Sequence, residues 1–479
     1  MKHLKNYING NWTDGDLGSF PVHNPATGES LAWVPKVSAE QVEYAADMAD
    51  RAFTSWSKET AETRSNYLLR LYELIVENKE DLGRTITLEQ GKPIKEGMGE
   101  VRYGASFVQW YSEEAKRVTG EMIPASHKNK RIMVLKQPVG VVAAITPWNF
   151  PFAMITRKIA PALAAGCTVI IKPASQTPLT AIKIMELVEQ AGFPKGVVNL
   201  VTGEASAIGK ALTDHKKVKK ITFTGSTEVG KQLYRASADS VKRISLELGG
   251  HAPFIVFEDG DLEKSIQGAL ASKFRNCGQA CISSNRFYVE KGIRSRFIDG
   301  LKAQLKNFRQ GDGLASDTDL GPLIDEKAYQ KVEDHVADAL SKGAVLEYRG
   351  EAPDDSIEGY RGHYYPPTIL SGVREDMKIY REETFGPVIP IIDFEGEQDL
   401  LSMANDSDYG LAAYLYTTNL SQALRVSESL EYGIVGLNDG TPSTAQAPFG
   451  GFKESGIERE GGHFGIEPFL ETKYISIGL

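Results

Sequence analysis

At 479 residues the chain is too long for one hydrophobic core, so two or three domains are expected. Its net charge of −9 is spread along the sequence, not gathered in a tail, which argues against a nucleic-acid or membrane-surface role. Three cysteines make no disulfide framework, Met1 to Ile8 has no apolar core of signal-peptide length, and Ile159 to Ile171 is too short to span a bilayer, so a cytoplasmic location is expected.

Residues 1–37 read as short strands and turns, with a hairpin at Asn9-Gly10-Asn11 and a turn at Asn24-Pro25-Ala26-Thr27-Gly28. From Ser38 to about Glu114 the period is helical, opening on a capping box at Ser38. Ile132-Met133-Val134-Leu135 is a strand without a local partner. From Val139 strands and helices alternate: strands at 139–145, 168–171, 197–201 and 220–223, with a helix after each, which predicts a parallel sheet of Rossmann type. A second α/β unit starts after Gly249-Gly250, with a strand at 254–257, a helix from Leu262 to Asn276 and a strand at 285–290. The tail, Phe469 to Ile477, is strand-like and has the 132–136 strand or another subunit as candidate partners.

Chemistry-bearing residues fall in six segments. Phe274-Arg275-Asn276-Cys277-Gly278-Gln279-Ala280-Cys281 holds two of the three cysteines, and Cys281 is a candidate nucleophile. Thr146-Pro147-Trp148-Asn149-Phe150-Pro151 braces an amide suited to an oxyanion, although a turn with Asn bonded to its own backbone is the commoner use. Ser245-Leu246-Glu247-Leu248 sets a carboxylate between leucines, either a general base or the polar face of an edge strand. Lys172 ends a strand, where open sheets bind ligands. Thr224 to Lys231 is nearly a P-loop, but Gln232 stands where a Ser or Thr is needed for magnesium, which discounts an NTPase. Glu382-Glu383-Thr384-Phe385-Gly386-Pro387 holds an acid and an aromatic before a turn. Eight scattered histidines show no metal-ligand spacing, and no metal is expected.

In order and spacing these segments, with Lys172-Pro173, Gly249-Gly250 and Pro448-Phe449-Gly450-Gly451, resemble the aldehyde dehydrogenase superfamily over nearly the whole chain. The resemblance implies an α/β fold with a Rossmann-type cofactor domain (1–117 and 138–246), an α/β catalytic domain (247–437) and a β oligomerisation arm with the C-terminal segment (118–137 and 438–479), assembled as a homodimer or homotetramer. It implies Cys281 as nucleophile, Asn149 and the Cys281 backbone N–H as oxyanion donors, and Glu247 as the base that activates water. It implies cofactor contacts from Trp148, Lys172, Ser175, Gly225, Ser226, Glu383 and Phe385. Many NAD-using members carry Glu at the position of Ser175, so NADP is expected to be accepted and favoured over NAD. The chain looks most like the succinate-semialdehyde dehydrogenase branch, in which Arg157, Arg275 and Ser443 would hold the distal carboxylate of the aldehyde. Lactaldehyde, glycolaldehyde and glutarate semialdehyde are the alternative substrates. Glu458 departs from the Gly that many members carry there, and Cys277 is a bystander or a partner for oxidation of Cys281.

Overall fold

The computed structural model describes residues 2–353 and 362–479. Its N-terminal helical layer is four helices, α1 (Ala39–Trp56), α2 (Ala61–Glu77), α3 (Lys79–Gln90) and α4 (Ile94–Glu114). Ser38 caps α1, its Oγ accepting from Gln41 N at 3.3 Å. The return bond of a capping box is not made. The Ser38 N–H donates to Asp16 Oδ1 at 2.7 Å, and the Gln41 amide reaches Asp14 instead. Gly91, at φ 94, ends α3, and Pro93 precedes α4.

Next comes the Rossmann unit: β1 (Val141–Ile145), α5 (Ala153–Ala165), β2 (Thr168–Lys172), α6 (Leu179–Gln190), β3 (Val198–Leu200), α7 (Ala205–Asp214), β4 (Val218–Thr224), α8 (Thr227–Ala238) and β5 (Arg243–Glu247). The five strands are parallel in the order β3-β2-β1-β4-β5. They are almost wholly buried, as their continuous apolar runs require. β1 starts two residues after the predicted Val139, beyond Gly140 at φ 128. Chain order reverses between β1 and β4, and the crevice at their carboxyl ends is where such sheets bind ligands. β5 is not an edge: Gly456–Ile457 pairs antiparallel outside it, with Glu247 opposite Gly456. The hairpin predicted at Asn9-Gly10-Asn11 closes the other edge through Asn6–Ile8 and Asn11–Thr13.

The second unit runs β6 (Ala252–Val256), α9 (Leu262–Phe274), β7 (Ser284–Glu290), α10 (Arg294–Leu305), α11 (Glu326–Ser341), β8 (Thr368–Ser371), β9 (Val388–Phe394), β10 (Ala412–Tyr416) and β11 (Ile434–Leu437). Its parallel strands lie in the order β8-β9-β7-β6-β10-β11, with Val345–Arg349 antiparallel outside β8. α9 stops two residues short of its predicted end because Asn276 and Cys277 turn left-handed.

The two unplaced segments find each other. Lys130–Pro138 pairs antiparallel with Leu470–Gly478 along its whole length, and Glu121–Ile123 adds a third strand. Among the described residues no helix is long and apolar enough to cross a membrane.

Candidate active site

The crevice between β1 and β4 opens into a cavity of about 330 Å³. The loop after β1 contributes Pro147, Trp148, Asn149 and Phe150, and the turn after β4 contributes Thr224, Gly225 and Ser226. Across the cleft stand Cys281, Glu383, Thr384 and Phe385 from the second unit. Residues separated by more than 230 positions thus meet at the switch point of the first sheet.

Cys281 closes a loop held in an unusual backbone conformation. Asn276, Cys277 and Gly278 have φ of 52°, 55° and 77° in succession. A left-handed residue other than Gly costs about 1–2 kcal/mol. Here it is offset by bonds: the Asn276 N–H donates to Glu96 Oε2 (2.7 Å), and its side-chain amide donates to the carbonyls of Asn149 and Gln279 (3.0 Å each). Two glycines make room for this loop. A side-chain carbon at Gly278 would lie 2.3 Å from the Gly386 carbonyl oxygen, and one at Gly250 would lie 2.1 Å from that of Cys281.

The Cys281 thiol is half-buried, and Cys277 is buried. Burial pushes Cys281 up to about 12; Arg157 and Arg275 oppose this, and Glu247 and Glu383 add to it. Cys277 packs into the core under β6 and β7, and burial pushes its thiol up as well, with Glu96 adding to it. The Lys273 ammonium opposes the shift but does not overcome burial, so Cys277 stays a thiol.

Asn149 is buried, and its Nδ2 donates to the Gln279 carbonyl at 3.1 Å. Its own carbonyl is held by Lys92, whose Nζ donates at 2.8 Å and pairs with Glu100 Oε2 at 2.6 Å. The other Glu100 oxygen accepts the N–H groups of Phe152 and Ala153, capping α5 with a carboxylate. These helical-layer side chains were not singled out in the sequence. Lys92 sits in Glu89-Gln90-Gly91-Lys92-Pro93, where a charged residue between a helix-ending Gly and a Pro was the available sign.

Glu247, at the end of β5, is buried and does not line the cavity. Burial and the neighbouring Glu460 hold its carboxyl well above the usual carboxylate range, against Arg157 and Lys158. Glu460 binds both cations: Lys158 Nζ at 2.5 Å from Oε1, and Arg157 Nη2 at 2.8 Å from Oε2. The Arg157 contact lies off the hydrogen-bonding direction, so Nε and Nη2 of this buried guanidinium lack an aligned acceptor. Its other faces are aromatic, with Phe449 at 3.9 Å and Phe107 at 5.5 Å. Arg275 lies over the Phe150 ring at 4.7 Å, and among the described residues it has no carboxylate within ion-pair distance. Ser443, from the loop after β11, shares a 2.5 Å hydrogen bond with Tyr103 on α4. Tyr103 is a further residue that helical periodicity concealed.

On the cofactor side, Trp148 and Phe385 meet edge to face, 5.8 Å between centroids. Glu383 Oε1 accepts from Gly250 N at 2.9 Å, and burial pushes its carboxyl up to about 7. Ser226 caps α8. Lys172 is buried at the end of β2, and burial pulls its ammonium down to about 8. Ser175 lies outside this cavity, its Oγ donating to Gly203 O at 3.2 Å. Lys231 of the P-loop-like stretch is paired with Glu454 at 2.6 Å. The cavity fits one half of a dinucleotide: the edge-to-face Trp148 and Phe385 at one wall, and the N-terminal amides of α8 with Ser226 at another.

The aldehyde dehydrogenase family profile matches residues 12–475. The chain is 52% identical to the succinate-semialdehyde dehydrogenase [NADP(+)] of Escherichia coli over 98% of this chain and 97% of that one. It is 50% identical to the glutarate-semialdehyde dehydrogenase of Pseudomonas aeruginosa over 98% and 97%. The crystal structure of an E. coli NADP-dependent enzyme superposes with a TM-score of 0.97 at 51% identity, covering 100% of this chain and 98% of that one. A match of this length, on a fold that gathers the same motifs at one switch point, shows that the chain belongs to the aldehyde dehydrogenase family.

Proposed function

We propose that this enzyme oxidises an aldehyde bearing a distal anion, succinate semialdehyde first, to the carboxylic acid, with NADP favoured over NAD. One observation carries the substrate reading. Arg157 and Arg275 both act on the Cys281 thiol; the first is buried with two donors lacking an aligned acceptor, and the second has no ion-pair partner among the described residues. A buried guanidinium left in this state is strongly favoured by an incoming carboxylate. A neutral hydroxyaldehyde needs no such pair. The similar E. coli and P. aeruginosa enzymes are named for aldehydes with a carboxylate at the far end, which supports the same reading.

In this reading Cys281 attacks the aldehyde carbon, and the Asn149 amide with the Cys281 N–H holds the oxygen as it gains charge. Proton acceptance falls to Glu247, whose raised affinity suits a base working near neutral pH. Trp148, Lys172, Ser175, Gly225, Ser226, Glu383 and Phe385 would hold the nicotinamide cofactor, which when bound supplies the hydride acceptor. Once it has released the thiol proton to solvent, Glu247 takes a proton from the water that attacks the thioester carbon, the C–S bond breaks, the Cys281 thiolate is regenerated, and the acid leaves. The serine hydroxyl at Ser175 puts no fixed negative charge against a 2′-phosphate, which favours NADP, as the E. coli relative's name also suggests.

We place the enzyme in the cytoplasm on its three cysteines, all free thiols. The exposed apolar side chains on the 121–138/470–479 sheet, Met122, Ile123, Tyr474 and Ile477 among them, support a homodimer or homotetramer built through that arm.

Steady-state kinetics on succinate semialdehyde, glutarate semialdehyde, lactaldehyde and acetaldehyde, each with NADP and NAD, test the proposal. The acidic aldehydes should show the higher kcat/KM and NADP the lower KM. Preference for lactaldehyde or acetaldehyde, or a strict requirement for NAD, contradicts it.

A further inference from the structure

Helix α4 belongs to the helical layer, yet one of its faces serves the site. Glu96, Glu100, Tyr103 and Phe107 are spaced four, three and four residues apart, which aligns them along one stripe. Each meets a different part: Glu96 holds the Asn276 N–H of the catalytic loop, Glu100 holds the start of α5, and Phe107 lies under the Arg157 guanidinium. Tyr103 completes the stripe. Its ring packs edge-on against Phe107 at 5.1 Å and beside Phe150, Ala153 and Met154, and its hydroxyl meets Ser443 Oγ at 2.5 Å. That hydrogen bond ties α4 to the loop after β11, the loop that carries Ser443. A serine hydroxyl rotates freely unless something fixes it. With the tyrosine hydroxyl at one side, the Ser443 proton and lone pairs have a defined direction.

We infer that Tyr103 is a specificity-determining, positioning residue: it fixes Ser443 for the distal anion of the substrate and does not act on the aldehyde carbon. The inference rests on the acidic-aldehyde reading above and goes beyond it by naming the group that orients the anchor.

The test is Tyr103→Phe, which keeps the ring packing and removes only the hydroxyl. The KM for succinate semialdehyde should rise roughly 5- to 20-fold, the cost of one lost hydrogen bond to an anion-binding group. kcat should stay within about twofold, and kcat/KM for butanal, which lacks the carboxylate, should not move. Competitive inhibition by succinate should weaken by the same factor as KM. Ser443→Ala should have the same effect, and the double variant should be no worse than either single one, because the two act as a unit. An unchanged KM for the acidic aldehyde overturns the inference, as does a parallel loss on butanal or additivity in the double variant. Arg275→Ala separates the two claims. If it abolishes acid preference while Tyr103→Phe does not, only the role of Tyr103 fails. If neither variant alters acid preference, the substrate reading fails with it.

Discussion

The folded environment favours the protonated forms of Cys281 and Glu247, the two residues given acid–base roles in the proposed mechanism. Burial raises Cys281 to about 12 and holds Glu247 well above the ordinary carboxylate range. In the proposed mechanism both work deprotonated, and both are shifted upward. Activity should therefore rise with pH from the mildly acidic range through neutrality, and not level off near pH 5 as it would with an ordinary carboxylate base. Glu247→Gln should remove that dependence from deacylation, leaving a burst of reduced cofactor followed by a steady rate about 10²- to 10⁴-fold slower. A variant with no burst and unchanged turnover would take Glu247 out of the role.

At this scale the readable and unreadable residues differ in kind. Cys281 and Asn149 stand in short turn segments, one bracketed by Pro147 and Pro151 and the other holding two of the three cysteines, which single them out although each residue alone has a commoner use. Lys92, Glu100 and Tyr103 stand in or beside helices of ordinary amphipathic composition. Their burial arises from how the helical layer packs on α5, and no local pattern records it. Arg157 shows the limit most clearly. Its anion-binding potential depends on the angle at which Glu460, 303 positions away, approaches its guanidinium.

At the scale of elements, most boundaries agree with the sequence reading to within two residues because buried parallel strands are continuous apolar runs. The differences have local causes. Gly140 delays β1, and two left-handed residues end α9 early. The capping box at Ser38 is half made because Asp16, from the preceding strand region, takes the N–H that Gln41 would have bound. The departure at Glu458 also has a structural meaning. Its φ is 72°, in the region that favours Gly, and it sits beside the strand that covers β5 and Glu247. The chain bears this cost with an exposed carboxylate in place of the usual glycine. Glu458→Gly should raise stability by about 1 kcal/mol, seen as a higher Tm, with kcat/KM unchanged. A lower Tm would mean that the Glu458 side chain stabilises the segment by more than its backbone conformation costs.

The whole molecule joins two parallel sheets through a cleft, with the helical layer bracing both sides of it. Asn149 and Cys281, from different sheets, are tied through Gln279, Asn276 and the Lys92–Glu100 pair. This network lets the proposed nucleophile and its proposed oxyanion donor keep one geometry although the chain between them is long. The arm sheet is the largest-scale feature the sequence left ambiguous. A lone strand at 130–138 and a lone strand at the C-terminus carry no sign of whether they pair within one chain, and the structure pairs them within one chain.

The central claim is that Arg157 and Arg275 select an aldehyde by its distal anion. The most direct measurement is the ratio of kcat/KM for succinate semialdehyde to that for butanal, in the wild-type enzyme and in Arg275→Ala. The predicted result is a high ratio in the wild type that falls roughly 30-fold or more in the variant, the scale of removing one partner from a buried charge pair, with butanal kinetics preserved. A ratio near one in the wild type, or a ratio that survives the substitution, would contradict the account.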